Sequence, residues 1–345
     1  MDHFQSDCIR WPNLCDNATV RISCPGAHRT VSVVRKLLLL TLLLAVVPNV
    51  ERPVMVHADP LDMNRGIDIP PPVEVPEPAW PRAQREIEGS PLTFRTPTDP
   101  AGLRALGRFK FSGGAPGLRE IALTFDDGPH PGETPQLLEI LAELKVPATF
   151  FVVGKMAEQY PDLIKAEVEG GHEMANHTYN HVNLNKLTPV EAATEIKACG
   201  NVVEDITGVR PRLFRPPGGD YCDRVVNVAA CLGYTTVLWT ANSGDYDGAS
   251  PEALWMKVRT RTGPGGVVLF HDGMPNTLQI LPQVVEYYRG LGYQFVTVSK
   301  LMADRNRMAA ETLAQPKPRR SIKSKAHGRG RMIAHRAGHI GPGGR

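Results

Sequence analysis

The sequence has few of the features that mark membrane-spanning, fibrous or disordered proteins. Only 6% of its 345 residues are aromatic, 42% are hydrophobic and 22% are charged. This composition excludes a collagen-like, a disordered or a polytopic membrane chain. The longest apolar run, from Leu37 to Val47, has 11 residues, whereas a membrane-spanning helix needs about 20. No internal repeat of solenoid length is present either.

Several common catalytic and cofactor motifs are also missing. No Gly-x-Ser-x-Gly segment occurs, which argues against a serine hydrolase with a nucleophile elbow. The glycine-rich stretch 263–266 lacks the lysine and the spacing of a phosphate-binding loop, and the Asp-Asp-Gly sequence at 126–128 does not match an EF-hand loop. Cys-x-x-Cys spacing is absent as well, so no zinc ribbon is expected.

Residues 1–58 are interpreted as an over-long N-terminus that contains a signal peptide. The apolar run from Leu37 to Val47 follows two basic residues and precedes an A-x-A-like cleavage site that ends at Ala58. The stretch before this segment is too long for an ordinary basic region, so we expect the true start to lie near residues 31–34. We therefore expect an exported protein of the periplasm, the cell envelope or the medium.

Three of the six cysteines, Cys199, Cys222 and Cys231, lie beyond the signal segment. In an oxidising compartment one pair of them can form a disulfide. We expect this bond between Cys222 and Cys231, which leaves Cys199 as a free thiol.

Charge and proline are distributed unevenly along the chain. Residues 316–345 contain nine Lys or Arg and no acidic residue, although the formal net charge of the whole chain is only +3. We expect 302–345 to be a disordered basic tail that contacts anionic envelope polymer, with a purely solubilising tail as the alternative. The tail lacks interleaved aromatic residues, so no specific nucleic-acid binding is expected. Ten prolines between residues 59 and 100 indicate that 59–118 is an extended spacer.

Between residues 119 and 301, short apolar runs alternate with segments of helical periodicity. The predicted strands are 121–125, 148–153, 173–176, 213–215, 235–240, 267–270 and 294–297, and the predicted helices are 134–144, 162–169, 189–206, 223–232, 251–262 and 277–290. This alternation indicates right-handed βαβ units around a parallel sheet. The segment is short for a full eight-unit barrel. We therefore expect an α/β fold, a deformed (β/α) barrel of about seven parallel strands, with a doubly wound open sheet as the alternative.

Polar and titratable residues gather directly after the predicted strands. They form five clusters, at 124–129 (TFDDGP), 176–181 (NHTYNH), 215–220 (RPPGGD), 242–247 (NSGDYD) and 271–273 (HDG). Parallel α/β folds place the carboxyl ends of their strands on one side, where active sites are built. We expect the five clusters to converge on that side, which is called the rim below.

The first two clusters supply a candidate metal site. His177 and His181 are four residues apart, so both rings can face one side of a helical turn. With one carboxylate from Asp126 or Asp127 they form a two-His, one-Asp set that leaves positions open for water and substrate. The two adjacent carboxylates repel each other, so a cation should lie close to them. Taken singly, these residues also fit an Asp-Gly turn and two structural histidines.

Three further residues of the rim have side chains suited to catalysis. The apolar run 267–270 delivers His271, whose ordinary pKa of about 6.5 suits a general acid, although an exposed loop histidine is the alternative. Arg215 is able to hold a carboxylate through two hydrogen bonds, or it is a surface charge. Asp245 either orients His271 or is a turn residue between glycines.

The order of these motifs resembles that of polysaccharide deacetylases, the nodulation-type domain also called carbohydrate esterase family four. TFDDGP, NHTYNH, RPPGG, the segment from Trp239 to Asp245, and LFHDG at 269–273 carry the resemblance. It covers about 119–301, just over half of the chain, and it implies a deformed (β/α) barrel, in agreement with the alternation of strands and helices.

The resemblance implies a role for each residue that matches a family motif. It assigns Asp126 as general base, His271 as general acid, Asp127, His177 and His181 as metal ligands, Arg215 as the residue that orients the base, and Asp245 as the residue that tunes the acid. It assigns Pro217, Gly218, Tyr221, Trp239, Tyr246 and Leu269 to the substrate pocket and its oxyanion site. Gly218 stands where the family often has an aromatic residue and Tyr246 where tryptophan is common. Both differences concern the choice of substrate.

The implied activity is removal of N-acetyl groups from N-acetylglucosamine-type polysaccharide or oligosaccharide, such as peptidoglycan, chitin oligomers or an exopolysaccharide. The implied cofactor is a divalent metal, Zn²⁺ first, with Co²⁺, Ni²⁺ or Mn²⁺ as alternatives. Two other functions stay open: an O-acetyl esterase on a polysaccharide such as xylan, and a non-catalytic envelope-binding module tethered by the basic tail. The complete catalytic set argues against an inert module.

Overall fold

The computed structural model describes residues 77–314, which form a curled sheet of nine parallel strands with ten α-helices. The expected signal peptide, the first part of the proline-rich segment and the basic residues from 315 onward lie outside the described residues.

The strands and helices follow each other in the order expected of βα units. The strands are β1 Lys110–Phe111, β2 Glu120–Asp126, β3 Thr149–Val152, β4 Glu173–Asn176, β5 Leu213–Phe214, β6 Thr235–Val237, β7 Ala241–Asn242, β8 Gly266–His271 and β9 Gln294–Phe295. The helices are α1 Ala79–Glu88, α2 Pro100–Leu106, α3 Thr134–Leu144, α4 Gly154–Gln159, α5 Pro161–Glu169, α6 Pro189–Thr207, α7 Asp223–Cys231, α8 Pro251–Arg261, α9 Pro275–Gly290 and α10 Val298–Ala314.

The sheet has the strand order β1-β6-β5-β4-β3-β2-β8-β7, and β9 pairs with the first two residues of β2. Every pairing is parallel. The predicted deformed (β/α) barrel is therefore confirmed, and all seven predicted strands and six predicted helices are present. The sequence did not predict β1 and β7, because each holds one apolar and one polar residue and shows no hydrophobic period of its own.

The central strands are almost entirely buried, as a parallel sheet covered by helices requires. In β2 every residue except Glu120 is buried. The ring of Phe125 in β2 stacks on Phe150 of β3 and Phe270 of β8, with centroids 5.3 and 5.8 Å apart. This aromatic stack links the three strands, two of which carry catalytic candidates at their ends.

Helix α6, the longest predicted helix, has clear start and stop signals. The Thr188 hydroxyl accepts from the backbone N–H of Glu191, and the Glu191 carboxylate accepts from the backbone N–H of Thr188, which forms a capping box ahead of Pro189. Gly208 ends the helix with a φ of 72°, a conformation that glycine adopts without steric cost.

The proline-rich segment is not extended throughout, so the predicted spacer over 59–118 is wrong for its described part. Helix α1 begins at Ala79 and packs along α6, with Ala79, Ala83 and Ile87 buried. These three residues recur every fourth position and form one apolar face of a helix. The many prolines of the segment indicated an extended chain, so the spacing of these three apolar residues was not interpreted as a helix.

The predicted tail over 302–345 also begins with regular structure. Helix α10 runs from Val298 to Ala314, and Val298, Leu301 and Asp304 are buried at its start. The Asp304 carboxylate pairs with Lys300 and with Arg307 one turn to either side, which satisfies a charge that burial would otherwise penalise. The expectation of disorder is therefore wrong for residues 302–314.

The predicted disulfide between Cys222 and Cys231 is wrong. Both thiols are free, and the two cysteines cap and end the same helix, α7. Nine residues of helix separate them by about 13 Å of rise, whereas a disulfide needs Cα atoms within about 7 Å. Cys199 is free as predicted and is buried.

Among residues 77–314, no helix combines the length and the apolar composition needed to cross a membrane.

Candidate active site

The polar clusters converge on one cleft at the rim. Asp126 and His271 end the neighbouring strands β2 and β8 and are paired in register, and His177 follows β4 directly. The cleft has a volume of about 290 Å³. Its lining residues are Asp126, Asp127, His177, His181, Gly218, Gly219, Trp239, Asn242, Tyr246, Asp247, Leu269 and His271.

The carboxylate of Asp126 is buried and bound to a buried cation. Arg215 Nη1 donates to Asp126 Oδ1 at 2.5 Å and to the hydroxyl of Thr124 at 2.9 Å, and the guanidinium carbon lies 3.9 Å from the centroid of the Phe151 ring. Burial lowers the pKa of the Arg215 guanidinium, and the Asp126 charge opposes this change. Arg215 is thus the cation expected beside the two carboxylates, although it binds Asp126 through one nitrogen and not two.

Asp127, His177 and His181 form a compact set of possible metal ligands. One ligand atom from each lies within 4.8 Å of the other two. Asp127 Oδ1 lies 3.0 Å from His181 Nε2 and 3.3 Å from His177 Nε2. This buried oxygen has no hydrogen-bond partner among the residues that the structure describes. A carboxylate oxygen and two imidazole nitrogens fit a divalent ion such as Zn²⁺ and leave coordination positions open.

The protonation states of this set also suit a metal. His177 Nδ1 donates to the backbone carbonyl of Arg215 at 2.8 Å, so in the neutral ring Nε2 carries the free lone pair that faces Asp127. Although burial acts to raise it, the pKa of Asp127 is held well below its ordinary value when the two adjacent imidazoles present N–H groups to it, and a bound cation would take over that role. The carboxylate is therefore ionised, as a metal ligand must be.

The two histidines do not lie on a helical turn, so the predicted local structure is wrong here. Residues 177–181 form an irregular loop in which Thr178 has a φ of 69° and His181 a φ of 54°. Asp127 also has a positive φ, 76°. Left-handed backbone is uncommon for residues other than glycine and costs free energy. The rings converge because this strained loop directs them, with centroids 5.0 Å apart.

His271 is oriented by a buried carboxylate. Asp245 Oδ1 accepts from His271 Nδ1 at 2.7 Å, and Asp245 Oδ2 accepts from the backbone N–H of His271 and from the hydroxyl of Thr277, both at 2.7 Å. Burial acts to lower the pKa of His271, but this hydrogen bond and the charges of Asp245, Asp126 and Asp127 raise it overall. With Nδ1 held by Asp245, Nε2 is the nitrogen left to exchange a proton in the cleft.

The wall of the cleft is formed by an indole packed against a glycine turn. Pro217–Gly219 form a 3-10 turn in which Gly218 and Gly219 have φ values of 66° and 70°. A Cβ atom on Gly219 would lie 2.4 Å from Trp239, whereas a Cβ on Gly218 would meet no described atom within 4 Å. The ring of Tyr246 lies over His271, with centroids 5.3 Å apart.

The structure brings most of the predicted pocket residues together. Gly218, Trp239, Tyr246 and Leu269 line the cleft. Pro217 and Tyr221 do not line it, since Pro217 is buried below the turn and the exposed ring of Tyr221 lies against Lys110. The catalytic and binding roles of all the predicted residues stay predictions.

Several residues of the site were given no individual role from sequence. Thr124, Gly219, Asn242 and Asp247 lie within the predicted rim clusters, whereas Thr277 and the buried Glu195 were not predicted at all. Glu195 had a detectable signal, because it lies on the same face of α6 as the buried Ala192 and Cys199. A charged residue within an apolar stripe of a helix indicates a buried, partnered carboxylate.

The family model and the relatives that this chain matches all point to one family. The family model described as polysaccharide deacetylase matches residues 113–237. A peptidoglycan-N-acetylglucosamine deacetylase of Bacillus cereus is 38% identical over 187 residues, which are 53% of this chain and 87% of that protein. A chitooligosaccharide deacetylase of Bradyrhizobium is 36% identical over 164 residues, 47% of this chain and 75% of that protein.

The solved structures agree with these matches. The crystal structure of a peptidoglycan N-acetylglucosamine deacetylase in complex with a naphthalenyl N-hydroxybenzamide superposes with a TM-score of 0.56 at 28% identity. The superposition covers 59% of this chain and 96% of that one.

Proposed function

Because this chain belongs to the polysaccharide deacetylase family, we propose that it is a metal-dependent hydrolase that removes N-acetyl groups from an N-acetylglucosamine polymer. The observation that carries the proposal is one cleft in which a buried carboxylate and an oriented imidazole flank a two-His, one-Asp set. Related proteins are named as polysaccharide or peptidoglycan N-deacetylases, which are hydrolases of carbon–nitrogen bonds.

The proposed metal is a divalent ion, Zn²⁺ first, held by Asp127, His177 and His181. When bound, such an ion polarises the acetyl carbonyl and lowers the pKa of a water molecule. Co²⁺, Ni²⁺ and Mn²⁺ bind the same kinds of donor and are tested below as alternatives.

The residues of the chain supply the proton transfers. Asp126 is held by Arg215 at the end of β2 and accepts a proton from the attacking water. His271, held by Asp245, donates its Nε2 proton to the leaving nitrogen as the carbon–nitrogen bond breaks. Acetate and a free amino sugar result, so one water molecule is consumed for each acetyl group removed.

Negative charge that develops on the acetyl oxygen needs a hydrogen-bond donor. The backbone N–H groups of Gly219 and Asp220 already donate to the carbonyls of Pro216 and Pro217. We therefore assign this role to the backbone N–H of Gly218, which lines the cleft and makes no such bond among the described residues.

The decisive experiment measures acetate release by the purified protein from N-acetylglucosamine oligomers, peptidoglycan and acetylated xylan. The assay is run before and after chelation, with Zn²⁺, Co²⁺, Ni²⁺ or Mn²⁺ restored one at a time. We expect metal-dependent release from the N-acetylated substrates, at a rate at least about 100-fold lower for protein carrying Asp126→Asn. Release from xylan alone would establish the esterase instead. A folded protein that binds metal and releases no acetate would favour the binding module.

We further propose that the protein is exported through the segment from Leu37 to Val47 and that the basic tail contacts anionic envelope polymer. The mature N-terminus and the fraction of protein bound to envelopes test these two proposals. Cleavage near Ala58 is expected, and deletion of 316–345 should release protein from envelopes. Retention of the intact N-terminus in the cytoplasm, or unchanged envelope binding, would contradict them.

A further inference from the structure

We propose that a brace outside the barrel, formed by Glu195, Glu158 and Trp80 around the loop residue Tyr179, positions the loop 177–181 and thereby sets the metal affinity of the site. This inference rests on the proposed metal site. It assigns a positioning role to residues that touch neither the cleft nor the metal ligands' ring nitrogens.

The first part of the brace is a buried carboxylate. Glu195, on α6, is only 3% exposed. Its Oε2 accepts from the backbone N–H groups of Tyr179 and Asn180 at 3.1 and 2.9 Å, and its Oε1 accepts from the side-chain amide of Asn180 at 3.0 Å. One carboxylate thus accepts three hydrogen bonds from the residues that lie between the two histidine ligands.

The opposite side of the loop is held by helix α4. The backbone N–H groups of Gly154 and Lys155 donate to the carbonyls of Thr178 and Tyr179 at 2.9 and 3.0 Å. A Cβ on Gly154 would lie 2.8 Å from the ring of Tyr179, so the helix start and the loop are in close contact. Left-handed backbone at Thr178 and His181 persists only where the surroundings fix it, and these contacts do so.

The second part of the brace reaches helix α1. The Tyr179 hydroxyl donates to Glu158 Oε2 at 2.5 Å, and the backbone N–H of Ala79 donates to Glu158 Oε1 at 3.3 Å. The Trp80 ring packs on the Tyr179 ring with centroids 5.6 Å apart. Helix α1 lies before the residues matched by the family model, so this contact is an addition of the N-terminal segment to the metal site.

Helix α1 is docked firmly enough to act as a support. Arg82 pairs with Asp205 at 2.6 Å, and Glu86 accepts from Lys197 at 2.7 Å, both across the interface with α6. Partners that orient metal ligands typically account for about 10–100-fold in metal affinity. The brace should therefore act on metal binding more than on the chemistry of Asp126 or His271.

The test measures Co²⁺ dissociation constants and the visible Co²⁺ spectrum for the full chain and its variants. Glu195→Ala should weaken binding up to about 10-fold, the lower end of the range for groups bonded directly to a metal ligand, and change the spectrum. Glu195→Gln keeps one acceptor oxygen for the two backbone N–H groups and should recover most of the affinity. Glu204→Ala, on the same helix but paired with Arg210, is the matched control and should leave binding unchanged.

A second variant covers the case in which Glu195→Ala does not fold. Trp80→Ala should weaken Co²⁺ binding severalfold, whereas Gln84→Ala should not, because Gln84 is exposed on the same helix and bonds only to Glu88. Wild-type affinity in folded Glu195→Ala, or in Trp80→Ala when the former is unfolded, would overturn the brace. A wild-type protein that binds no Co²⁺ or Zn²⁺ would instead overturn the proposed function.

Discussion

The two halves of the cleft are built in different ways. Asp126 and His271 end β2 and β8, two paired strands whose register is fixed by the buried aromatic stack. His177 and His181 instead lie on an irregular loop with left-handed backbone. Asp126 and His271 are positioned by the packing of the hydrophobic core, which the fold needs whether or not the chain has an active site. His177 and His181 are positioned by hydrogen bonds that join their loop to helices α4 and α6. These hydrogen bonds hold the loop and play no part in the core.

This difference separates chemistry from metal binding. Asp126 and His271 should affect the rate without changing the metal affinity, whereas His177, His181 and the residues that hold their loop should do the reverse.

Replacement of the strand-end base should give the largest loss of rate. Asp126→Asn keeps an acceptor for Arg215 but removes the proton acceptor, so we expect kcat to fall by about 10²–10⁴-fold, the usual range for a general base. The Zn²⁺ dissociation constant should stay near the wild-type value. Steady-state kinetics and calorimetric metal titration measure the two quantities. A parallel loss of metal affinity would show that the two halves are not separable.

Replacement of a loop ligand should give the opposite result. His181→Ala removes one of three donors, and we expect Zn²⁺ binding to weaken beyond the roughly 100-fold limit seen for outer partners of metal ligands. Part of the activity should return at high metal concentration, because Asp126 and His271 remain in place. Metal titration of binding and of activity checks both statements. Unchanged Zn²⁺ affinity would exclude His181 as a ligand.

The strand-end acid should respond through its pH profile. Asp245 raises the pKa of His271, so His271 stays protonated, and active as an acid, to a higher pH than a free histidine. Asp245→Asn removes this charge, and the alkaline limb of kcat should move to lower pH by about one unit or more. Asn keeps a hydrogen-bond acceptor, so the fold should be preserved. An alkaline limb at the wild-type pH would mean that another group supplies the proton.

The sequence predicted the strand-end half more completely than the loop half. A buried apolar run followed by Asp126 or His271 specifies both the strand and its exposed end, since parallel strands end on one side. The spacing of His177 and His181 predicted their convergence but assigned it to a helical turn. Their true conformation depends on Glu195, which lies in another element, and no local pattern contains that contact.

The absence of long-range contacts from local sequence patterns also explains why helix α1 was not predicted. Local composition around Ala79 is dominated by prolines, and three apolar residues alone do not bury enough surface to hold a helix. Helix α1 forms because α6 covers its apolar face and because its Trp80 packs against Tyr179. Tertiary contact, which the single sequence does not display, decides both the helix and the loop.

The smallest effect on activity is expected at the turn Pro217–Gly219, where alanine at Gly218 serves as the matched control for alanine at Gly219. Gly218 and Gly219 both have φ near 70°, so an alanine at either costs a similar roughly 1–2 kcal/mol of backbone strain. Only Gly219→Ala forces Trp239 to move, because the added Cβ would lie 2.4 Å from the indole. We therefore expect both variants to lose stability in thermal unfolding, Gly219→Ala more than Gly218→Ala because of the added clash, and Gly219→Ala alone to raise KM severalfold. Neither should change Zn²⁺ affinity, since the turn contacts the wall of the cleft and not the loop. Equal KM values for the two variants would show that Trp239 does not contact the substrate.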